Sequence, residues 1–163
     1  IDEVAQLADH LILLDEGRVV GHGEISEMLT RLDLSLSRGE RAASIIKAKV
    51  SSHDEDYNLT AIDFSGGRFL VPRKQLPVGC DVRLRIEARD VSLTAQHQDE
   101  TSILNILPAI VDEISDENDA QVIVRLKVGD DLLLSCVTKK SADLLQLQQG
   151  KKIYAQIKSV ALL

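Results

Sequence analysis

Aromatic residues are almost missing from this chain: two Phe, two Tyr and no Trp in 163 positions. A core must therefore be aliphatic, and the stacking platforms on which single-stranded nucleic acid lies are not available. Positive charge is also short. Lys and Arg total 19 against 26 Asp and Glu, a formal net charge of -7. Such a surface repels a polyanion, which argues against broad nucleic-acid binding but leaves room for a small anion in a locally positive pocket. Cysteine is limited to Cys80 and Cys136. Neither has CxxC or Cys/His spacing, so both read as buried thiols in a reducing compartment rather than as a disulfide framework. No apolar run approaches the ~20 residues of a spanning helix, so direct membrane insertion is not expected. A basic-then-apolar leader is not visible either.

Catalytic sets are equally scarce. No G-x-x-x-x-G-K-[ST] loop exists to cradle a triphosphate, so the chain by itself is not expected to be an enzyme or to hydrolyse ATP. The four histidines (His10, His22, His53, His97) are scattered, no Ser/His/Asp or Cys/His set is legible, and no metal site is expected. Asp15-Glu16 after an apolar run superficially resembles the carboxylate pair of a P-loop ATPase. Gly17-Arg18-Val19-Val20 follows at once, so the pair reads as a hairpin turn.

What is present divides along the chain. In residues 1–31, a short helix ending near Asp9 places Val4, Ala5, Leu7 and Ala8 on one face. Leu11 to Leu14 read as a buried strand, Arg18 to Val20 as its return, and Glu24 to Thr30 as helical turns with Ile25, Met28 and Leu29 inward. A piece this small cannot bury its own apolar surface. It opens at Ile1 without Met, and the expectation is a fragment covered by something upstream or by another subunit. Residues 32–43 are polar and weakly patterned, a linker candidate.

From Ser44 onward β-branched and apolar residues dominate in two similar units, residues 44–95 and 101–163, joined near 96–101. Ser44-Ile45-Ile46 and Ser102-Ile103-Leu104 each open a strand. Acidic turns follow at Asp54-Glu55-Asp56 and at Asp116 to Asp119. Each unit then adds two strands and closes with a Gly-led strand, from Gly79 through Ile86 and from Gly150 through Ile157. The expected fold is mainly β: two tandem OB-like small barrels behind a short α/β segment.

The informative stretch is Thr138-Lys139-Lys140-Ser141. Thr138 can cap a short helix beginning at Lys139, whose first N–H groups lack internal partners. The hydroxyls of Thr138 and Ser141 are one turn apart, and Lys158-Ser159 can add a charge and a third hydroxyl. The alternative is simple capping with Lys158 at the surface. In the first unit Pro72-Arg73-Lys74-Gln75 and Glu87-Ala88 stand at the corresponding places, so the second unit has the better chemistry for an oxyanion.

Residues 101–163 resemble a Mop (TOBE) domain, the small molybdate- and tungstate-binding β module. The resemblance rests on Ser102-Ile103-Leu104-Asn105, Val137-Thr138-Lys139-Lys140-Ser141-Ala142 and Ile157-Lys158-Ser159-Val160. Residues 1–31, with Asp2-Glu3-Val4 and Leu14-Asp15-Glu16-Gly17-Arg18-Val19, are similar to the last elements of an ABC nucleotide-binding domain. Residues 44–95, with Glu87-Ala88-Arg89-Asp90-Val91-Ser92-Leu93, resemble the first C-terminal barrel of bacterial molybdate-importer ATPases. The resemblance implies an oxyanion-sensing tail of such an ATPase, with ATP and Mg bound only elsewhere in the parent protein. It implies a homodimer partnered with a membrane permease at the cytoplasmic face of the inner membrane. The ligand positions it transfers are Ser102, Thr138, Ser141, Lys158 and Ser159, in a pocket between two protomers or two modules.

One position departs from the family pattern. Mop proteins that hold molybdate tightly often carry Arg where this chain has Leu104. A charge-assisted donor is worth roughly 1.5–3 kcal/mol, and ~1.4 kcal/mol is a tenfold change in affinity. A structural dimerisation module without a ligand site is therefore the second expectation.

Overall fold

The computed structural model describes residues 2–39 and 41–163. Ile1, at the head of the segment 1–31, and Glu40, inside the linker candidate 32–43, lie outside the described residues. The N-terminal segment forms helix α1 (Asp2–Leu7), strands β1 (His10–Asp15) and β2 (Arg18–Glu24), and helix α2 (Ile25–Thr30). Glu16 and Gly17, both at positive φ (46° and 77°), make the tight two-residue turn between β1 and β2, as Asp15-Glu16-Gly17 suggested. In α2, Ile25, Met28 and Leu29 are buried, as the pattern predicted.

Burial in β1 and α1 differs from expectation. Ala5 is fully buried, but Leu7 on the same helix is 85% exposed. Ile12 and Leu14 of β1 and Val19 and Val20 of β2 are also exposed. The reason is geometric: β1 and β2 form a two-stranded ribbon with no third strand. One face of it meets α2, and successive side chains on the other face have nothing to cover them.

Several described residues of segment 32–43 pack inward. Leu32, Leu34, Ser37 and Ala42 are buried, and Ser37 Oγ donates to the carbonyls of Arg31 (2.7 Å) and Leu34 (3.0 Å) around a 3-10 turn. Arg38 reaches the carbonyl of Asp116 at 2.8 Å and Ser115 Oγ at 2.9 Å, tying this segment to the second unit.

The rest is mainly β. The first unit supplies β3 (Ala43–Asp54), β4 (Leu59–Phe64), β5 (Gly67–Pro72), β6 (Asp81–Glu87) and β7 (Val91–Thr94). The second supplies β8 (Asn105–Asp116), β9 (Gln121–Val128), β10 (Asp131–Thr138), helix α3 (Lys139–Leu144), β11 (Lys152–Ile157) and β12 (Ala161–Leu162). They form two five-stranded sheets, ordered β12-β6-β3-β4-β5 and β10-β9-β8-β11-β7. The two units thus exchange their last strands: β7 pairs with β11, and β12 pairs with β6.

The register shows how closely the two units repeat. Each long first strand has a bulge, at Val50/Ser52 in β3 and at Val111/Glu113 in β8. Aligning the bulges sets Ser44 opposite Asn105, not opposite Ser102; Ser102 and Ile103 precede β8. The shared Ser-Ile start is a coincidence of sequence that register overrules. Both positions then perform the same task across the molecule. Asn105 Oδ1 accepts from Leu70 N (2.7 Å) and its Nδ2 donates to Leu70 O (3.0 Å). Reciprocally, Ser44 Oγ accepts from Leu134 N at 2.8 Å.

Between the sheets lies one continuous aliphatic core, with Ile46, Ile62, Leu84 and Ile86 from one unit and Val111, Leu126, Leu133 and Ile157 from the other. The two phenylalanines stack within the first unit, ring centroids 4.9 Å apart. Among the described residues no helix is long and apolar enough to cross a membrane.

Candidate functional site

Thr138 is the last residue of β10, and its backbone is extended, so its side chain is free to fold over the start of α3. Its Oγ1 accepts from Ser141 N at 3.1 Å and lies 2.8 Å from Ser141 Oγ. The cap and the paired hydroxyls expected from the sequence are therefore both present. α3 is held from its other end by Lys151, whose ammonium donates to the Leu145 carbonyl.

Lys158 and Ser159 follow β11 and are exposed. The Lys158 backbone N–H donates to Asp90 O at 2.9 Å, which fixes the chain where it leaves the second sheet. Ser102 is exposed ahead of β8, and Leu104, at the place of the family Arg, is 62% exposed. The structure brings Thr138 and Ser141 together. None of the described hydrogen bonds joins Ser102, Lys158 or Ser159 to that pair.

The matching position in the first unit has opposite chemistry. Lys49 pairs with Asp81 and Ile110 with Lys152, so Glu87 is the register equivalent of Lys158. Arg85 Nη1 donates to Glu87 Oε1 at 2.7 Å, and Arg89 Nε sits 2.6 Å from Glu87 Oε2. The hydrogen bond from Arg85, outweighing the opposing effect of burial, holds the Glu87 carboxyl below its ordinary range. A carboxylate of the chain itself therefore fills the positive place of the first unit.

A second charged cluster was not legible in the sequence. Asp112 is the bulge residue of β8 and accepts from Arg125 Nε at 2.7 Å, with Lys127 Nζ 3.1 Å away. Burial pushes the Asp112 carboxyl up, but these two cations more than reverse that and leave it depressed. Arg125 also meets Glu113 at 2.7 Å and reaches toward Thr30 O at 3.4 Å, linking β9 to the end of α2. Only the bulge brings Asp112 and Arg125 into one place, and no sequence signal marks it. Cys136 is half-buried, and burial raises its thiol pKa, as for an unreactive side chain. Among the described residues no group of three or more His, Cys, Asp or Glu is placed to hold a metal ion.

Residues 101–163 match the TOBE domain model. The chain is 50% identical over 163 residues to the molybdenum import ATP-binding protein ModC of Albidiferax ferrireducens, covering 100% of this chain and 44% of that protein. It is 45% identical to ModC of Methylococcus capsulatus, covering 99% of this chain and 46% of that protein. Against ModC 1 of Azotobacter vinelandii the identity is 44%, with 99% and 45% covered. The chain thus spans a little under half the length of these relatives. Among solved structures, the cytoplasmic molybdate-binding protein ModG, crystallised with molybdate bound, matches with a TM-score of 0.63 and 26% identity. That match covers 73% of this chain and 94% of ModG, and it identifies the paired curled sheets as the OB-like fold expected. The chain contains a TOBE domain and is homologous, along its whole length, to part of the molybdenum import ATP-binding proteins.

Proposed function

We propose that this chain is the regulatory, oxyanion-binding part of a molybdate-importing ABC ATPase, divided into an ATPase-derived segment (1–31), a connector (32–43) and two barrel units (44–95 and 101–163). The observation that carries the reading is the fold shared with a molybdate-bound protein over 94% of that protein's length. Molybdate or tungstate is the ligand, and Ser102, Thr138, Ser141, Lys158 and Ser159 are the residues that hold it. The Thr138–Ser141 hydroxyl pair supports this, because two adjacent hydroxyls suit a tetrahedral oxyanion. The remaining contacts come from a second protomer, which explains why one chain brings only part of the set together.

In this reading the parent protein binds ATP and Mg, works as a homodimer with a membrane permease, and sits at the cytoplasmic face of the inner membrane. Accumulated molybdate binds the paired β units and slows further import. Such coupling requires tighter binding to the resting state than to the active one.

A second reading is favoured by one specific observation, the exposed Leu104 in place of a cation: a dimerisation module that has kept the fold without a ligand. Calorimetric titration with molybdate, with sulfate as control, decides between them. Saturable binding to molybdate that disappears in Lys158→Ala supports the sensor. No heat and no thermal stabilisation at millimolar molybdate leaves the dimerisation module. A monomer at high concentration in sedimentation equilibrium counts against both.

A further inference from the structure

Leu163 lies five residue steps beyond Lys158, and in that distance the chain passes through three parts of the molecule. Lys158 N is bonded to Asp90 O at the edge of the second sheet. Val160 is packed against the shared core. Ala161 and Leu162 form β12 against Arg85 and Leu84 of the first sheet. Leu163 then donates its N–H to Arg83 O at 3.0 Å and packs against the cluster of Ala5, Ile25, Leu29 and Ile45. Three members of that cluster belong to α1 and α2.

Arg83 completes the connection from the other side. Its guanidinium Nη1 donates to the carbonyls of Ala5 (3.1 Å) and Ala8 (2.7 Å), and Nη2 pairs with Asp9. One residue therefore holds the last strand by its backbone and the end of α1 by its side chain. Its side chain is 21% exposed, so these bonds are partly shielded from water and their loss is not made up by solvent at no cost. A cleft with Gln6, Asp9, Lys47 and Lys49 on its walls runs alongside.

We infer that segment 160–163 and Arg83 are positioning residues that carry the state of the oxyanion site to α1 and α2. An extended chain rises at most ~3.3–3.6 Å per residue, so the whole path from Lys158 to Leu163 is under about 18 Å. When Lys158 and Ser159 close on an oxyanion, β12 and Leu163 are drawn with them, because only Val160, itself packed against the core, lies between Ser159 and β12. The docking of Leu163 among Ala5, Ile25 and Leu29 shifts accordingly. This inference rests on the sensor reading proposed above.

The test uses the full-length ATP-binding protein, with two readouts measured together: molybdate affinity by calorimetry and the effect of molybdate on ATP hydrolysis. Saturating molybdate should slow wild-type hydrolysis, and the share of that slowing kept by each variant is the readout. Leu163→Ala should bind molybdate with unchanged affinity, hydrolyse ATP normally without it, and lose most of the slowing. Leu163→Met, which refills the space, should restore it. Arg83→Met provides a second test by hydrogen exchange: molybdate should alter protection of residues 3–8 and 25–30 in the wild type and leave it unaltered in the variant.

A Leu163→Ala protein that slows as much as the wild type overturns the inference and leaves the sensor reading standing. So does an Arg83→Met protein in which molybdate alters the protection of residues 3–8 and 25–30 as much as it does in the wild type. A wild-type protein that binds no molybdate overturns both together.

Discussion

Gly66 and Gly129 touch backbone to backbone where the β4–β5 turn of one unit meets the β9–β10 turn of the other. A Cβ on Gly66 would fall 2.5 Å from the carbonyl oxygen of Val128, and one on Gly129 would fall 2.5 Å from Gly66 N. Ser65 Oγ seals the contact, accepting from Asp130 N at 2.9 Å and donating to Asp131 Oδ2 at 2.5 Å. Since the obstructing atoms are main chain, no side-chain rotation relieves the clash.

Gly66→Ala should therefore destabilise the protein by about 1–3 kcal/mol, the usual cost of overpacking. Gly129→Ala adds the strain of a left-handed backbone at φ 63°. At this chain length each kcal/mol lowers Tm by roughly 2–4 °C. Thermal unfolding of the two variants, with Gly150→Ala as an uncrowded control, checks the prediction. Gly150 has the left-handed backbone without the crowding, so a Gly129→Ala effect no larger than that of Gly150→Ala, with an unaltered Tm in Gly66→Ala, would mean that the contact contributes nothing.

Asn105 and Ser44 make reciprocal clasps, and the price of removing them should differ. Asn105→Ala strands both the N–H and the carbonyl of Leu70, so a loss of about 2 kcal/mol is expected. Ser44→Ala strands only the N–H of Leu134 and should cost about 1 kcal/mol. Urea denaturation ranks them. A Ser44 variant weaker than the Asn105 variant would contradict the arrangement.

Acid should weaken the link between Asp112 and Arg125. Because the folded carboxyl lies below its ordinary value of 3.8, its contribution is fully present above that value and fades as pH falls through the folded one. Asp112→Asn should lose about 1–3 kcal/mol at pH 7, as for a hydrogen bond to a charged group. The gap between variant and wild type should shrink below pH 3.8. Parallel denaturation curves at neutral and acid pH measure it.

Leu104→Arg supplies the cation that this chain lacks. Leu104 is already 62% exposed, so the longer side chain enters without disturbing the core. Molybdate affinity should rise about tenfold, the equivalent of one charge-assisted donor. Titration of the variant beside the wild type gives the factor directly, and an unchanged affinity would remove position 104 from the site.

Local features were legible in the sequence and long-range ones were not. The Asp15-Glu16-Gly17 hairpin, the buried face of α2 and the Thr138 cap each depend on residues a few positions apart, and each is present in the structure. The exchange of β7 and β12 had no such signature, because Val91–Thr94 and Ala161–Leu162 are short strands whose composition suits either sheet. Segment 32–43 looked polar because its serines and arginines outnumber its leucines. In fact Ser37 is buried with its hydroxyl bonded to backbone carbonyls. Of the candidate oxyanion residues, only Thr138 and Ser141 meet within one chain. Sequence spacing shows neighbours on a helix but cannot place Ser102 or Lys158 relative to it.

The exchanged strands also govern how the chain reaches its native state. Residues 84 and 85 must wait for 161 and 162 before their sheet is finished, and residues 91–94 must wait for 154–157. A nascent chain therefore carries an unfinished sheet edge until residues 161 and 162 have been made. Pairings this distant in sequence form slowly and have no stable half-way product. Cutting the connection between the two units should release no independent barrel, and both should melt in a single transition.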